Sequence, residues 1–289
     1  MMNASEKGNP QVVWLNGEFL PLQKAAVSPL DRGFLYGDGL FETLRAEAGR
    51  PLFLADHLQR LTDSLAALRI DLPFDPDWKA ITVGLLQHNG LAERTASLKI
   101  IVSRGIGREL GLPAPQQATV CAIAQPYSPP AAESYHQGWR LHLFREGFAP
   151  PLAQHKSLNY LYFLTARQAA TDLGADEAVI LDPGGKVSET SAGSLLACSR
   201  GRWWTPASSN RLPGITLHRV AKLLGDAGTP VTDREAKPED LLGAETIWVL
   251  NSLIGIMPVR RVMDRAVADP AAPLAAQLRA ALFDCGRSI

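Results

Sequence analysis

Gln154-His155-Lys156-Ser157-Leu158-Asn159-Tyr160-Leu161 sets one lysine just ahead of a segment in which Leu158, Leu161, Tyr162, Thr165, Ala166 and Ala169 recur at helical spacing. Most lysines are solvated surface charges. A lysine at the mouth of a helix is different, because the unpaired N–H groups there create a positive field. That field and burial both favour the neutral amine. A neutral amine attacks a carbonyl and forms a Schiff base. The case for such chemistry at Lys156 therefore depends on what the rest of the chain brings to it.

The chain has 289 residues, enough for two ordinary domains. Its 46% hydrophobic and 20% charged residues are those of a globular protein. Lys+Arg and Asp+Glu both number 29, so no charge excess points to nucleic acid. Cys121, Cys198 and Cys285 are few and far apart, which fits a reducing compartment and no metal cluster. Residues Met1 to Pro10 are polar and lack the apolar core of a signal peptide. No apolar run approaches the roughly 20 residues of a membrane helix. These features predict a soluble cytoplasmic protein with no membrane, nucleic-acid or metal partner.

Val12 to Leu20 reads as a hairpin turned at Asn16-Gly17. The run Asp31-Arg32-Gly33-Phe34-Leu35-Tyr36-Gly37-Asp38-Gly39 predicts a tight Gly-rich loop, and Phe41 to Glu47 a strand. Asp56 is the predicted N-cap of a helix bearing Leu58, Leu61, Leu65 and Leu68 on one stripe, with Arg60 beside it. A helix is expected near Trp78–Gln87, and central strands at Ser97–Ser103 and Ala118–Gln125. Between those strands, Arg104 and Arg108 lie in a basic loop suited to a substrate carboxylate, unless they are merely solvated. Pro126 to Ala132 reads as a linker. The predicted organisation is an N-terminal α/β domain over residues 1–126, a linker over 127–134, and a C-terminal α/β domain over 135–289 carrying Lys156.

In the second half, strands are expected at Trp139–Arg145, Glu177–Asp182, Leu195–Cys198 and Glu245–Leu250. Leu212-Pro213-Gly214-Ile215-Thr216 opens a helix whose first N–H groups and Thr216 hydroxyl form a ready phosphate site. Ser252, in the turn after the last of those strands, is a second phosphate candidate. Pro273 to Phe283 closes the chain as a helix. There is no Gly-x-Ser-x-Gly elbow and no dinucleotide-binding Gly-x-Gly-x-x-Gly. An imine-forming lysine, an acid for a pyridine nitrogen and a phosphate cup are what pyridoxal phosphate requires.

With these residues in hand the sequence resembles the class IV aminotransferases. The resemblance rests on Asp31-Arg32-Gly33, Tyr36-Gly37-Asp38-Gly39-Leu40-Phe41-Glu42, His57-x-x-Arg60-Leu61, Lys156-Ser157-Leu158-Asn159-Tyr160, Asp176-Glu177-Ala178, Glu189-Thr190, Gly214-Ile215-Thr216 and Pro258-Val259. It runs from about Trp14 to Val262. It implies a two-domain α/β fold of the fold-type IV kind, pyridoxal 5'-phosphate between the domains, and a homodimer. It makes Lys156 the imine lysine and proton shuttle, Glu189 the partner of the pyridine nitrogen, and Tyr160 a neighbour of the ring hydroxyl. Arg60, Ile215, Thr216 and Ser252 would bind the phosphate; Tyr36, Phe41, Arg104 and Arg108 would face the substrate. The family usually has Asn five positions after the glutamate, where this chain has Ser194.

Family members differ in what leaves the substrate. Asn251-Ser252-Leu253-x-Gly255-x-x-Pro258-Val259 resembles the aminodeoxychorismate lyases of the family, which make 4-aminobenzoate for folate. Tyr160, where many lyases carry Arg, leans toward the transaminases. The D-amino acid enzymes' Arg-x-His carboxylate trap is missing its histidine at Arg108-Glu109-Leu110. The expected activity is therefore aminodeoxychorismate lyase, with a branched-chain or D-amino acid aminotransferase as the alternative.

Overall fold

The computed structural model describes residues 11–113, 117–145 and 152–284. They form two compact units that divide between Ser128 and Pro129.

The N-terminal unit is an antiparallel sheet. Its strands are β1 (Val12–Leu15), β2 (Glu18–Pro21), β3 (Gly39–Glu47), β4 (Arg50–Pro51), β5 (Ala96–Ser103) and β6 (Thr119–Pro126), in spatial order β2-β1-β6-β5-β3-β4. The β1–β2 turn follows its sequence: Asn16 (φ 49°) and Gly17 (φ 105°) are both left-handed, the pairing that matches strand twist. Helices α2 (Leu54–Ala67) and α3 (Trp78–His88) lie against the sheet. The core holds Leu40, Leu44 and Ala46 of β3 together with Leu61, Leu65, Leu85 and Leu86.

Two local expectations fail here. The Gly-rich run is a short helix, α1 (Arg32–Tyr36), capped by the Asp31 side chain on the Gly33 N–H and closed by Gly37 at φ 68°. Gly37 serves a helix end rather than an open loop, while Gly33 lies within α1 and Gly39 opens β3. Asp56 lies in the first turn of α2, whose N-cap is Phe53 in the left-handed region. The carboxylate there complements the helix field without capping.

The C-terminal unit is a mixed sheet of β7 (Trp139–Phe144), β8 (Glu177–Leu181), β9 (Val187–Thr190), β10 (Ser194–Ser199), β11 (Arg202–Pro206), β12 (Val231–Arg234), β13 (Thr246–Asn251), β14 (Gly255–Val262) and β15 (Arg265–Ala266). The order is β12-β11-β10-β13-β14-β7-β8-β9, with β15 on β14. Its helices are α4 (Ala132–Gln137), α5 (Leu161–Asp172), α6 (Ile215–Asp226), α7 (Pro238–Leu242) and α8 (Ala272–Asp284). Helix α4 begins inside the expected linker and is anchored by Tyr135, whose hydroxyl donates to the Ile254 carbonyl at 2.8 Å.

β7 and β8 are parallel, and the crossover between them carries Lys156 and α5. A residue entering a helix after a parallel strand sits where such sheets bind ligands. The helix itself differs from the sequence pattern. Leu161 (75% exposed) and Leu164 (55%) face outward, while Ala166 and Ala170 are buried, with Tyr162, Phe163 and Ala169 packed around them.

Candidate active site

The register of three strands fixes the first relation. Phe144, the last residue of β7, pairs with Ile180 of β8, and Ile180 pairs with Glu189 of β9. Glu189 is thus level with the end of the strand that leads to Lys156. It is 6% exposed, and its Oε2 accepts from the Leu212 N–H at 3.1 Å. A carboxylate this buried requires such partners.

Lys156 lies outside any helix, strand or turn, four residues before Tyr160, the N-cap of α5. This alters the sequence argument, since a helix field fades beyond the first turn. The group beside the lysine is Tyr160: Lys156 Nζ is 5.6 Å from the centre of its ring. The Tyr160 hydroxyl donates to the Ser191 carbonyl at 2.7 Å. Burial, reinforced by the charges of Glu189 and Glu177, pushes that hydroxyl well above the usual tyrosine range. It stays protonated and able to donate.

The sequence reading assigned no role to Glu177, which is fully buried at the start of β8. Its Oε1 accepts from the Ala178 N–H at 2.8 Å and from the Ser191 hydroxyl, and its Oε2 pairs with Arg167 at 2.5 Å. Burial raises its carboxyl above the ordinary range, against the pull of Arg167. Glu177 therefore grips the turn whose Ser191 carbonyl receives Tyr160. The available signal was an acid opening an otherwise apolar strand.

Helix α6 begins at Ile215 with Gly214 as N-cap; Ile215 and Thr216 are buried. A Cβ on Gly214 would come within 2.2 Å of Ser194 Oγ, so a side chain there would force the Ser194 hydroxyl to move. Ser194 pairs with Leu250 of β13, and Asn251 and Ser252 follow directly. Asn251 Nδ2 donates to the Ala192 carbonyl at 3.0 Å, while its Oδ1 accepts from the Leu253 and Ile254 N–H groups at 3.0 Å each. Through these contacts Glu189, the α6 N-terminus and the Ser252 turn gather at one end of the sheet, and Tyr160 joins them through Ser191.

The remaining expected site residues belong to the N-terminal unit. Arg60 binds Glu42 through Nε at 2.8 Å and Nη2 at 2.7 Å, and His57 Nδ1 lies 2.7 Å from the same carboxylate. Burial acts to raise the Glu42 carboxyl, but the His57 and Arg60 hydrogen bonds and charges outweigh it and hold it below the usual range. Tyr36 is 54% exposed under the Arg32 guanidinium, and Phe41 is buried in β3 beneath Lys99. Arg108 is exposed.

Arg104 corrects the expectation of a substrate-facing residue. Its side chain is 1% exposed. The guanidinium is spent on Asp38 and on the carbonyls of Leu68, Arg69 and Pro113, at 2.8–3.1 Å. It joins α1, the end of α2 and the loop after β5, with Arg32 sharing Asp38 at 2.7 Å. A buried arginine saturated in this way serves the fold.

The fold and this cluster define a class before any particular enzyme: α/β proteins with a lysine on a parallel-strand crossover and, at one end of the sheet, a buried carboxylate and a helix N-terminus. The profile described as Amino-transferase class IV matches residues 39–262, and the chain belongs to that family. It is accordingly a pyridoxal-phosphate-dependent transaminase or lyase. It is 32% identical over 259 residues to a Methanocaldococcus jannaschii protein with a provisional branched-chain-amino-acid aminotransferase name, covering 88% of this chain and 89% of that one. It is 30% identical to the Vibrio harveyi aminodeoxychorismate lyase, covering 85% and 89%. Its structure is similar to the T.th. branched-chain amino acid aminotransferase complexed with N-(5'-phosphopyridoxyl)-L-glutamate, with a TM-score of 0.85, 26% identity, and coverage of 96% and 94%.

The donor set fits the cofactor. Glu189 is a buried carboxylate of the kind a protonated ring nitrogen requires, and Gly214 puts no side chain at the α6 N-terminus. Among the described residues no helix is long and apolar enough to cross a membrane.

Proposed function

We propose that the chain is a 4-amino-4-deoxychorismate lyase, releasing 4-aminobenzoate and pyruvate, the former for folate synthesis. Pyridoxal phosphate, when bound, supplies an electron sink for the bond that breaks. Lys156 holds it through Nζ. Once the substrate's amino group replaced it there, the freed Lys156 amine would take the proton lost from the substrate ring and return it to the departing three-carbon unit, so that pyruvate and an aromatic product leave with atoms balanced. Glu189 keeps the ring nitrogen protonated, and Tyr160 stands beside the ring hydroxyl, its own hydrogen held by the Ser191 carbonyl. Ile215 and Thr216 offer backbone N–H groups, and Thr216 and Ser252 hydroxyls, to the phosphate, with Arg60 as its cationic ligand. Tyr36, Phe41 and Arg108 remain the substrate-side candidates.

The observation that carries the lyase reading is the Asn251-Ser252-Leu253 turn. The Asn251 side chain closes it and ties it to Ala192, beside Ser191 and Glu189. That motif resembles the lyases, and the 30% identity to the Vibrio harveyi enzyme agrees with it. Tyr160 supports a second reading, an aminotransferase acting on a branched-chain or D-amino acid, as does the name of the 32% identical relative. The assay is purified protein with aminodeoxychorismate, following 4-aminobenzoate and pyruvate. Formation of both supports the lyase; no product, with turnover of an amino acid against 2-oxoglutarate, replaces it with the aminotransferase.

The homodimer belongs to this proposal. Phe34 (77% exposed) and Tyr36 on α1, and Ile106 and Leu110 (88%) on the loop after β5, are large apolar side chains left in solvent. The Asp31–Ile106 bridge and the Arg32 bonds to Glu109 and Gly111 hold the two segments together. A cytoplasmic setting is consistent with the three scattered cysteines.

A further inference from the structure

Along β3, side chains alternate between faces, and Leu40, Leu44 and Ala46 share the face packed into the core with α2. Glu42 has the same parity. It is a carboxylate, 1% exposed, among leucines. Position 42 would be filled at lower cost by an apolar side chain, because two charges withdrawn from water at best recover their desolvation. What Glu42 does there is specific. His57 and Arg60, one turn apart on α2, both reach it. His57 is fully buried and the Arg60 side chain is 11% exposed. The two carboxylate oxygens engage Nε and Nη2, one whole edge of the planar guanidinium. A two-point grip of this kind sets both the plane and the direction of the group, which a single ion pair would not.

We propose that Glu42, steadied by His57, is a positioning residue that fixes the Arg60 guanidinium for the phosphate of the cofactor. The proposal rests on the reading that Arg60 is a phosphate ligand. It gives a task to two residues whose burial the fold alone does not require. An arginine on a half-exposed helix otherwise samples many rotamers and must be ordered each time it binds. Here Glu42 has ordered it beforehand, and the gain falls on phosphate recognition alone. Lys156 and Glu189 engage other atoms of the cofactor.

That selectivity provides the test. Binding of pyridoxal 5'-phosphate and of phosphate-free pyridoxal is measured by absorbance titration of the full-length protein after removal of cofactor. The proteins are wild type, Arg60→Ala, Glu42→Gln and Glu42→Asp, each checked by thermal melting. Glu42→Gln is expected to weaken pyridoxal 5'-phosphate by roughly tenfold or more, about 1.4 kcal/mol, and to change pyridoxal by less than about twofold. Arg60→Ala should show the same selectivity, more strongly. If Arg60→Ala is selective and Glu42→Gln is not, Arg60 binds phosphate but Glu42 does not position it, and the proposal is overturned. If Arg60→Ala weakens both ligands equally or neither, the phosphate role of Arg60 fails and takes the proposal with it. Should Glu42→Gln not fold, Glu42→Asp serves. Its shorter arm breaks the two-point grip while keeping the charge, so selective weakening is expected and wild-type affinity for both ligands refutes the idea.

Discussion

Replacing Arg104 with alanine separates a structural arginine from a substrate ligand. The side chain is 1% exposed, and its removal strips Asp38 of two of its hydrogen bonds and leaves the carbonyls of Leu68, Arg69 and Pro113 without their donor. Breaking a buried ion pair by removing one partner costs about 3–5 kcal/mol. In a chain of this size each kcal/mol moves the melting temperature by about 2–4 °C, so a fall of roughly 6–20 °C is expected. Arg108→Ala is the internal control: the residue is exposed on the same loop, and its loss should stay within about 0.5 kcal/mol. Differential scanning calorimetry on both variants reads the effect, with steady-state kinetics alongside. If Arg104→Ala keeps the parental melting temperature and instead raises KM, Arg104 binds substrate and the account of the α1 anchor is wrong.

The carboxyls of Asp38 and Glu42 are both held below their ordinary values of 3.8 and 4.5, so the stability they contribute is present above those values and lost as pH falls through the lowered ones. Acid melting curves should show this loss, and Glu42→Gln should flatten it. Gly214→Ala places a Cβ 2.2 Å from Ser194 Oγ, so it should weaken cofactor binding by roughly tenfold or more. Adding Ser194→Ala should recover part of that loss, because the clashing oxygen is gone; a double variant no better than the single would refute the steric account. Tyr160→Phe removes the donor to the Ser191 carbonyl, costing about 1 kcal/mol of stability and shifting the pH dependence of the bound cofactor's absorbance. An unchanged spectrum across pH would place the Tyr160 hydroxyl away from the ring.

Periodicity made the elements that carry the chemistry legible. The hairpin at Asn16-Gly17, the β5 and β6 strands, and helix α6 with Gly214 at its head all carried local signals strong enough to survive folding. What stayed hidden were relations between distant residues. Nothing in the spacing of Arg104 distinguishes a solvent-facing loop arginine from one drawn beneath α1, because its partners lie 9 to 66 positions away. The Glu177–Ser191–Tyr160 chain is invisible for the same reason. Leu161 fits the helical stripe yet faces outward, since periodicity cannot tell which side of a short helix meets the sheet. Glu42 and His57 were visible as motif members, but only the strand parity and the α2 stripe together reveal that they meet.

The most direct test concerns the amine at position 156. Borohydride reduction of the protein saturated with pyridoxal 5'-phosphate, followed by peptide mass mapping, should find a phosphopyridoxyl group on the peptide containing Lys156 and nowhere else. A protein that remains unlabelled, or one labelled at a different lysine, would contradict the assignment of the site.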